Sequence, residues 1–262
     1  MIRRTLLRQI HDYVSTFIRP ANLMSTPEVA PIPPGSRVLV LSPHFDDDVI
    51  GCGGALARHV AAGHTVTVVY LTDGREGDPS IPDKNQVSAL RKDEARRATA
   101  ILGITDLRYL DEPETKLRSH ATLLERLGQI FGEVRPDLVY LPWFLDNHID
   151  HFETNRILFD LAPRLDQTIT VAAYEVWMPM VPSMVIDITS VAALKERALT
   201  QYETQIRHVD YVATTMGLNK YRSSFRFKGQ GFAEAFFVTS LADYVTKVRA
   251  LNLPDRVFIS TR

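Results

Sequence analysis

The feature that most constrains the fold is the alternation of two kinds of segment along the chain. Apolar, β-branched runs such as 37–42 (RVLVLS) and 65–72 (TVTVVYLT) have the composition of buried strands. Between such runs lie segments with helical spacing of apolar residues, such as 85–103 and 121–134. Alternating strands and helices build βα units, so the sequence predicts an α/β fold with a mainly parallel sheet. By the same criteria we predict further helices over 55–64, 151–162 and 190–206, and strands over 106–111, 137–143, 168–177 and 183–188.

The first 36 residues differ from the rest of the chain. Within 1–20, apolar residues recur every four positions, which predicts an amphipathic helix: Ile2, Leu6, Ile10, Val14 and Ile18. The stretch 21–36 is rich in proline and small residues, as linkers are. We therefore divide the chain into a helix and linker over 1–36 and one domain over 37–262. The helix is expected to pack on the domain or on a second subunit of a homo-oligomer, and a membrane-surface anchor is the alternative.

Composition excludes several classes of protein. Of the 262 residues, 45% are apolar and 23% charged, and the formal net charge is −1, so non-specific attraction to nucleic acid is not expected. No apolar run is long enough for a transmembrane helix, and we identify no signal peptide. Cys52 is the one cysteine, which rules out an intramolecular disulfide. We expect a cytoplasmic protein, with peripheral membrane attachment as the alternative.

The stretch 42–54, SPHFDDDVIGCGG, places one histidine and three consecutive aspartates after a predicted buried strand. Carboxylates at such a position repel one another unless they face water or share a cation. Ligands of parallel α/β sheets bind beyond the carboxyl ends of the strands, so a site is expected here. The glycines do not match the spacing of a dinucleotide-binding loop, and they predict a close approach between the following helix and the sheet.

A second cluster, DNHIDHFETNR over 146–156, follows the predicted strand 137–143. Asp150 and Glu153 have the spacing of a capping box, which would place His151 in the first turn of a helix. We expect that position to keep the imidazole neutral, as a metal ligand must be. Two imidazoles and a carboxylate commonly hold a metal and leave one position open. His44, one or two of the aspartates and His151 are therefore predicted to bind a divalent cation.

Three other readings of these residues stay open. The same donor types occur in the iron site of non-haem oxygenases, a class usually built on all-β barrels. The metal could also be structural, in a sugar-binding protein without catalytic activity. A third alternative is a metal-dependent amidohydrolase that acts on an amide outside sugars.

Taken together, the motifs resemble those of the GlcNAc-phosphatidylinositol deacetylase-like family, also called PIG-L or LmbE-like. The family pattern H-P-D-D-E is matched by HFDDD, and H-x-D-H by HIDH. Further similar stretches are LTDG, RKDEARRATAILG, VIDIT and AEAFFV, so the resemblance covers about 37–240. It implies a Rossmann-like, three-layer αβα domain and a zinc-dependent hydrolase that removes an acyl group, usually acetyl, from an amino sugar or a glycoconjugate. Fe²⁺ or Co²⁺ would suit the same ligands.

The resemblance also assigns roles by position. It implies that His44, Asp47 and His151 bind the metal. The remaining three positions are implied catalytic residues: Asp46 as the general base, His148 as the group that stabilises the oxyanion, in its protonated form, and Asp150 as the residue that orients the histidines. Two departures from the pattern are Phe45 in place of proline and Asp48 in place of glutamate; neither removes a ligand.

Substrate contacts are expected from the loops that follow the strands. Arg75 and Asp73 follow the second predicted strand and Arg91 begins the next helix, where they could grip sugar hydroxyls or a phosphate. For Arg91 a structural pair with Asp93 or Glu94 is the alternative. Of the two tryptophans, at least one is expected in the core and the other could stack on a sugar ring. Basic residues near the C-terminus suggest a phosphate-bearing substrate, or else a solvated loop: Lys220, Arg222, Arg226 and Lys228.

Overall fold

The computed structural model describes residues 27–250, and the predicted N-terminal helix lies outside these residues. Within this range eight strands form one sheet. The strands are β1 (Glu28–Val29), β2 (Arg37–Ser42), β3 (Thr65–Thr72), β4 (Asp106–Glu112), β5 (Leu138–Pro142), β6 (Thr170–Tyr174), β7 (Met184–Asp187) and β8 (Ala233–Ser240). The short strand β1 pairs with β7, so part of the proline-rich stretch is built into the edge of the sheet.

Eight α-helices flank the sheet in the described part of the chain. They are α1 (Asp47–Ala61), α2 (Lys84–Ile101), α3 (Ala121–Val134), α4 (Ile149–Leu161), α5 (Ala192–Leu199), α6 (Glu203–Ile206), α7 (Tyr211–Arg222) and α8 (Leu241–Arg249). No helix among the described residues has both the length and the apolarity needed to cross a membrane.

The strand order is β1-β7-β8-β6-β5-β2-β3-β4. All neighbouring pairs are parallel except those of β8, which runs antiparallel between β6 and β7. From β2 the chain adds β3 and β4 on one side and then returns to place β5 on the other side. The carboxyl ends of β2 and β5 therefore flank the point where strand order reverses, which is where α/β sheets form their ligand crevice.

Two apolar cores cover the two faces of the sheet, which confirms the predicted three-layer α/β architecture. Alternate residues of β2 enter different cores, because successive side chains of a strand point to opposite faces. Val38 and Val40 pack with α1, α2 and α5, whereas Leu39 and Leu41 pack with α3, α4 and α8. Because a core covers each face of the sheet, every interior residue of β2 is fully buried.

Helix α1 begins at Asp47, eight residues before the start that the sequence predicted. The predicted close approach is confirmed, because the glycines lie inside the helix and let its first turns touch the sheet and its surroundings. A Cβ at Gly51 would lie 2.1 Å from the Tyr174 ring, and one at Gly54 would lie 2.7 Å from Ile188. The helix therefore starts directly at the aspartates, and Asp46 and Asp47 line the crevice.

The prediction of a single helix over 190–206 is wrong. Helix α5 ends at Leu199, and the short helix α6 begins only at Glu203. Between them Tyr202 is buried in the core with a non-helical backbone conformation. The change of direction lets the Thr204 N–H and hydroxyl donate to the Glu94 carboxylate, at 2.7 and 2.6 Å. A buried carboxylate with tertiary partners thus overrides the local helical pattern.

Candidate metal centre and active site

The loop between β2 and α1 places His44 at the crevice. The hydroxyl of Thr72, at the end of β3, donates to the Pro43 carbonyl, and that of Ser42 donates to the His44 carbonyl, both at 2.7 Å. The His44 N–H in turn donates to Asp47 Oδ2 at 2.9 Å. These bonds fix the backbone of the loop, so the imidazole is held in place before any ligand binds.

Three potential ligand atoms converge at the reversal point. Asp47 Oδ2 lies 3.0 Å from His44 Nδ1 and 3.2 Å from His151 Nε2. The two ring nitrogens lie 3.3 Å apart. Ligand atoms about 2.0–2.1 Å from a tetrahedral zinc ion are separated by about 3.3 Å, so the triangle has the dimensions of three zinc ligands. His44, Asp47 and His151 therefore fit a divalent cation with one position open.

Two further aspartates support the histidines from behind. Asp150 Oδ2 lies 3.2 Å from His44 Nε2 and also accepts the backbone N–H of Thr115 at 2.8 Å. Asp146 Oδ1 lies 3.2 Å from His151 Nδ1, an ion-pair distance without the alignment of a hydrogen bond. Carboxylates behind imidazole ligands fix the ring orientation and increase ligand basicity. Sequence reasoning missed Asp146, although it stands two residues before His148 in the same motif.

The expectation that His151 stays neutral because it is near a helix N-terminus is wrong for the protein without a cation. Burial acts to lower the pKa of His151, but the negative charges of Asp47 and Asp146 outweigh burial and raise the pKa to about 9. Burial likewise opposes the charged form of His44, and Asp47 and Asp150 raise its pKa well above the usual range. The carboxylates therefore favour positive charge at this point, which a divalent cation would supply in place of the protons.

His148, and not Asp150, caps helix α4. Its Nδ1 accepts the N–H of Asp150 at 3.2 Å, so the predicted capping box is wrong, although His151 does lie in the first turn. Burial and the neighbouring histidines lower the pKa of His148 to about 3, so the ring is neutral, whereas the role expected from the sequence required the protonated form. Because Nδ1 is an acceptor, the neutral ring carries its proton on Nε2 and is a donor.

One ligand atom each from His44, His148 and His151 can also lie within 4.8 Å of one another, which makes a three-histidine set a possible alternative. Asp47 is the better third ligand. Its oxygen already contacts both other ligand atoms, whereas the free nitrogen of His148 carries a proton.

Asp46 lies on the wall beside the triangle. Its Oδ1 is 3.2 Å from Arg91, and the same guanidinium lies 3.5 Å from Glu114. Burial raises the pKa of Asp46, Arg91 acts to lower it, and Asp47 raises it further. Arg91 therefore pairs with Asp46 and Glu114, and neither predicted alternative partner, Asp93 or Glu94, is its ion-pair partner. Sequence reasoning also missed Glu114, which the DEPETK loop places here.

The third aspartate, Asp48, does not line the crevice. It is fully buried and accepts a hydrogen bond from the Tyr70 hydroxyl at 3.1 Å. Burial raises its pKa to about 8, so the carboxyl group is neutral at pH 7. The three consecutive aspartates therefore differ in position: one faces the histidines, one faces Arg91 and one is buried and protonated.

A cavity of about 210 Å³ lies in front of these groups. Its wall is mostly polar and includes Glu76, Arg91, Glu114 and Gln205, with Trp177 and Tyr211 on one side. The structure does not bring Arg75 and Asp73 to this wall. They pair with each other at 2.5 Å, and the Asp73 carboxylate also accepts the N–H of Arg75 at 3.2 Å.

The two tryptophans lie in different parts of the structure, and one of the predicted basic residues is buried. Trp143 is in the core, as expected for one of the pair, whereas Trp177 is 46% exposed at the cavity. Arg222 is buried and donates to both oxygens of Glu175, so it is not available to a phosphate. The predicted basic patch therefore loses one member to a structural ion pair.

Comparison with known proteins agrees with this geometry. Residues 39–162 match the family described as PIG-L: GlcNAc-PI de-N-acetylase. This part of the chain is therefore similar to the PIG-L family. All the groups that face the ligand triangle lie inside the matched PIG-L range, whereas Gln205, Trp177 and Tyr211 lie outside it.

Relatives of this chain include two curated enzymes. Diacetylchitobiose deacetylase of Thermococcus kodakarensis is 26% identical over 186 residues, which are 64% of this chain and 70% of that protein. A 1D-myo-inositol 2-acetamido-2-deoxy-alpha-D-glucopyranoside deacetylase of Geodermatophilus obscurus is 29% identical over 154 residues, 47% of this chain and 52% of that protein. The solved N,N'-diacetylchitobiose deacetylase of Pyrococcus horikoshii has a TM-score of 0.72 at 21% identity, covering 89% of this chain and 94% of that one, and shows the same fold.

Proposed function

We propose that this protein is a metal-dependent hydrolase that removes the N-acetyl group of an amino sugar. The observation that carries the proposal is the triangle of His44 Nδ1, Asp47 Oδ2 and His151 Nε2, with sides of 3.0 to 3.3 Å. The triangle lies beside a buried carboxylate and a neutral histidine donor. The related proteins named as deacetylases of acetamido sugars support the same substrate class.

Zn²⁺ is the cation we propose for the three ligands. Two nitrogens and one carboxylate oxygen are a ligand set that catalytic zinc sites use. When bound, the ion would polarise the amide carbonyl and lower the pKa of a water molecule. The carboxylates behind both histidines would hold the rings in orientation for it.

Asp46 is the proposed general base. It is not one of the three ligands, yet it lines the same cavity and lies next to Asp47 in the chain. Arg91 fixes its orientation through the 3.2 Å contact. In this position Asp46 accepts the proton of the attacking water and then delivers it to the departing amine nitrogen, which completes hydrolysis to acetate and a free amino sugar.

His148 is the proposed donor to the carbonyl oxygen. The bond from the Asp150 N–H to Nδ1 leaves Nε2–H as its donor, and the ring also lines the cavity. A donor fixed in place before reaction stabilises the negative charge that develops on the carbonyl oxygen, by about 3–4 kcal/mol for one such group. Glu76, Arg91 and Gln205 line the same cavity with polar groups, which suits sugar hydroxyls.

The test is acetate release from N-acetylglucosamine, its glycosides and N,N'-diacetylchitobiose, measured with metal-free protein before and after addition of Zn²⁺. We expect activity only with the ion, and a loss of about 100-fold or more in Asp46→Asn at unchanged zinc content. Exposed Asp166→Asn is the matched control and should retain full activity. No acetate from any sugar while zinc binds would contradict the proposal and favour an amide substrate outside sugars.

A further inference from the structure

A second cavity, of about 230 Å³, adjoins the catalytic one. Four residues line both cavities and form the boundary between them: Ile50, Val176, Trp177 and Tyr211. The rings of Trp177 and Tyr211 meet edge to face, with centroids 5.8 Å apart. Ile50 lies three residues after Asp47, in the first turn of α1. The second cavity therefore begins one helical turn away from the ligand triangle.

The two cavities differ in chemistry. The catalytic cavity is lined by the polar side chains of Glu76, Arg91, Glu114 and Gln205, none of which lines the second cavity. The second cavity is lined largely by apolar groups, among them Leu218 and Ala235. The one carboxylate on its wall, Glu175, is neutralised by Arg222 and also accepts the Met180 N–H at 2.7 Å. The cavity thus offers an uncharged, apolar surface.

An amide substrate has two ends, and the two cavities match them. With the carbonyl at the ligand triangle, the amino sugar would lie in the polar cavity and the acyl group would extend toward the apolar one. An acetyl group has only one methyl to place there. An apolar cavity of about 150 Å³ can hold benzene, so a cavity of 230 Å³ has room for a six-carbon chain.

We propose that the second cavity binds the acyl chain of the substrate, and that this enzyme hydrolyses N-acyl amino sugars with chains longer than acetyl. The inference rests on the proposed hydrolase function and extends its substrate class. Each methylene buried in an apolar site favours binding by about fourfold. A hexanoyl substrate should therefore have a higher kcat/KM than the acetyl one.

Asn219 adds a polar requirement to this cavity. The side chain is buried and lines the cavity, and its Oδ1 has no hydrogen-bond partner. A buried acceptor without a donor is unfavourable, and a hydroxyl on the acyl chain is the group that would satisfy it. The preferred chain is therefore a hydroxylated one.

The test compares kcat/KM for N-acetyl-, N-hexanoyl- and hydroxyhexanoylglucosamine. We expect hexanoyl to exceed acetyl by about tenfold or more. Leu218→Trp, which fills the cavity from a half-buried position, should lower the hexanoyl-to-acetyl ratio at least tenfold. The matched control is Leu124→Trp, a half-buried position in the other core. Thr214→Trp, at an exposed position on the same cavity, repeats the test if Leu218→Trp does not fold.

Equal hexanoyl-to-acetyl ratios in wild type, Leu218→Trp and Leu124→Trp would overturn the inference. A cavity variant that impairs hexyl N-acetylglucosaminide but not N-hexanoylglucosamine would also overturn it, because the cavity would then bind the aglycone. If wild type hydrolyses none of these amides, the proposed function has failed. The cavity is then tested by titration with hexanoate, whose binding should weaken at least tenfold in Leu218→Trp and stay unchanged if the inference is wrong.

The hydroxyl requirement has its own readout. Wild type should prefer hydroxyhexanoyl over hexanoyl by about three- to tenfold, with the hydroxyl tested at carbons 3, 4 and 5. Asn219→Leu should remove that preference while it keeps the preference for hexanoyl over acetyl. The same hydroxyl preference in wild type and Asn219→Leu would show that Asn219 does not contact the chain.

Discussion

Two groups of buried charge contact helix α1, and they differ in how their polar atoms are satisfied. Along the side of the helix, Glu234 accepts the N–H groups of Gly54 and Ala55 at 2.7 and 2.8 Å and pairs with Lys195 at 2.6 Å. Lys195 also donates to the Ile50 carbonyl at 2.8 Å. Both side chains are fully buried, and each is held by several partners of opposite polarity.

At the N-terminus of the same helix, the polar atoms converge instead of pairing off. Asp47 Oδ2 and two imidazole nitrogens lie within 3.3 Å of one another. The lesson is that buried charge alone does not reveal a functional site. Lone pairs that point at one common place do, because only a cation or protons can satisfy them together.

The largest expected effect comes from Asp47→Asn. The amide oxygen can still accept the His44 N–H, so the fold is retained, but the negative charge that a cation needs is gone. We expect zinc affinity and kcat/KM each to fall by about 1,000-fold or more, measured by calorimetry and acetate release. Full activity in this variant would remove Asp47 from the ligand set.

At the Lys195–Glu234 pair we expect the reverse, a loss of stability without a loss of activity. Lys195→Met leaves Glu234 charged and buried without its partner, which should lower the free energy of unfolding by about 3–5 kcal/mol. Urea unfolding measures this, and the protein that remains folded should keep its kcat/KM. The control is Lys247→Met, in an exposed pair with Asp243, which should change stability by less than about 1 kcal/mol. Equal effects of both variants would mean that burial does not distinguish them.

A buried histidine without a carboxylate partner has a lowered pKa, whereas the pKa values of His44 and His151 are raised. His59 contacts His64 and the Tyr140 hydroxyl, and burial together with His64 lowers its pKa from 6.5 to about 4. Below pH 6.5 the unfolded chain binds a proton at this residue that the folded chain rejects. Stability from this group is therefore full above pH 6.5 and declines by about 3 kcal/mol as pH falls to 4.

The measurement is urea unfolding from pH 7.5 to pH 4, for wild type and His59→Gln. The wild-type curve should lose about 3 kcal/mol more than the variant curve over this interval. Parallel curves would show that His59 has an ordinary pKa in the folded protein.

A smaller effect on zinc affinity and activity is expected at Asp150, the carboxylate that supports His44. Asp150→Asn can still accept the Thr115 N–H but loses the negative charge next to His44 Nε2, so the ring is less basic and less firmly oriented. Changes at such supporting residues typically cost about 10- to 100-fold in metal affinity or activity. Zinc titration and kcat/KM should both fall in this range, and a loss as large as that of Asp47→Asn would make Asp150 a ligand.

Much of the fold could be predicted because its strands are locally encoded. The β-branched runs of β2 and β3 define their own bounds, and the sequence predicts both correctly. The start of α1 could not be found this way. Three glycines within four residues suggest a turn, and only the tertiary contacts of Gly51 and Gly54 explain why they are helical.

The site likewise has a part that the sequence predicts and a part that only tertiary contacts determine. His44, Asp47 and His151 stand in recognisable motifs, so the sequence predicts that they meet. Asp146 and Glu114 are not among the positions to which those motifs give a role, and their contacts depend on how two loops approach each other across the sheet edge. The tautomer of His148 depends on one backbone hydrogen bond, and no sequence pattern specifies that bond.

The central claim is that the converging atoms at the start of α1 bind one divalent cation. The most direct measurement is calorimetric titration of metal-free protein with Zn²⁺ in buffers of different ionisation enthalpy, beside the double variant His44→Ala/His151→Ala. We predict one zinc ion per chain, proton release on binding, and affinity at least 100-fold weaker in the variant. Absence of binding, or equal affinity in both proteins, would contradict the account.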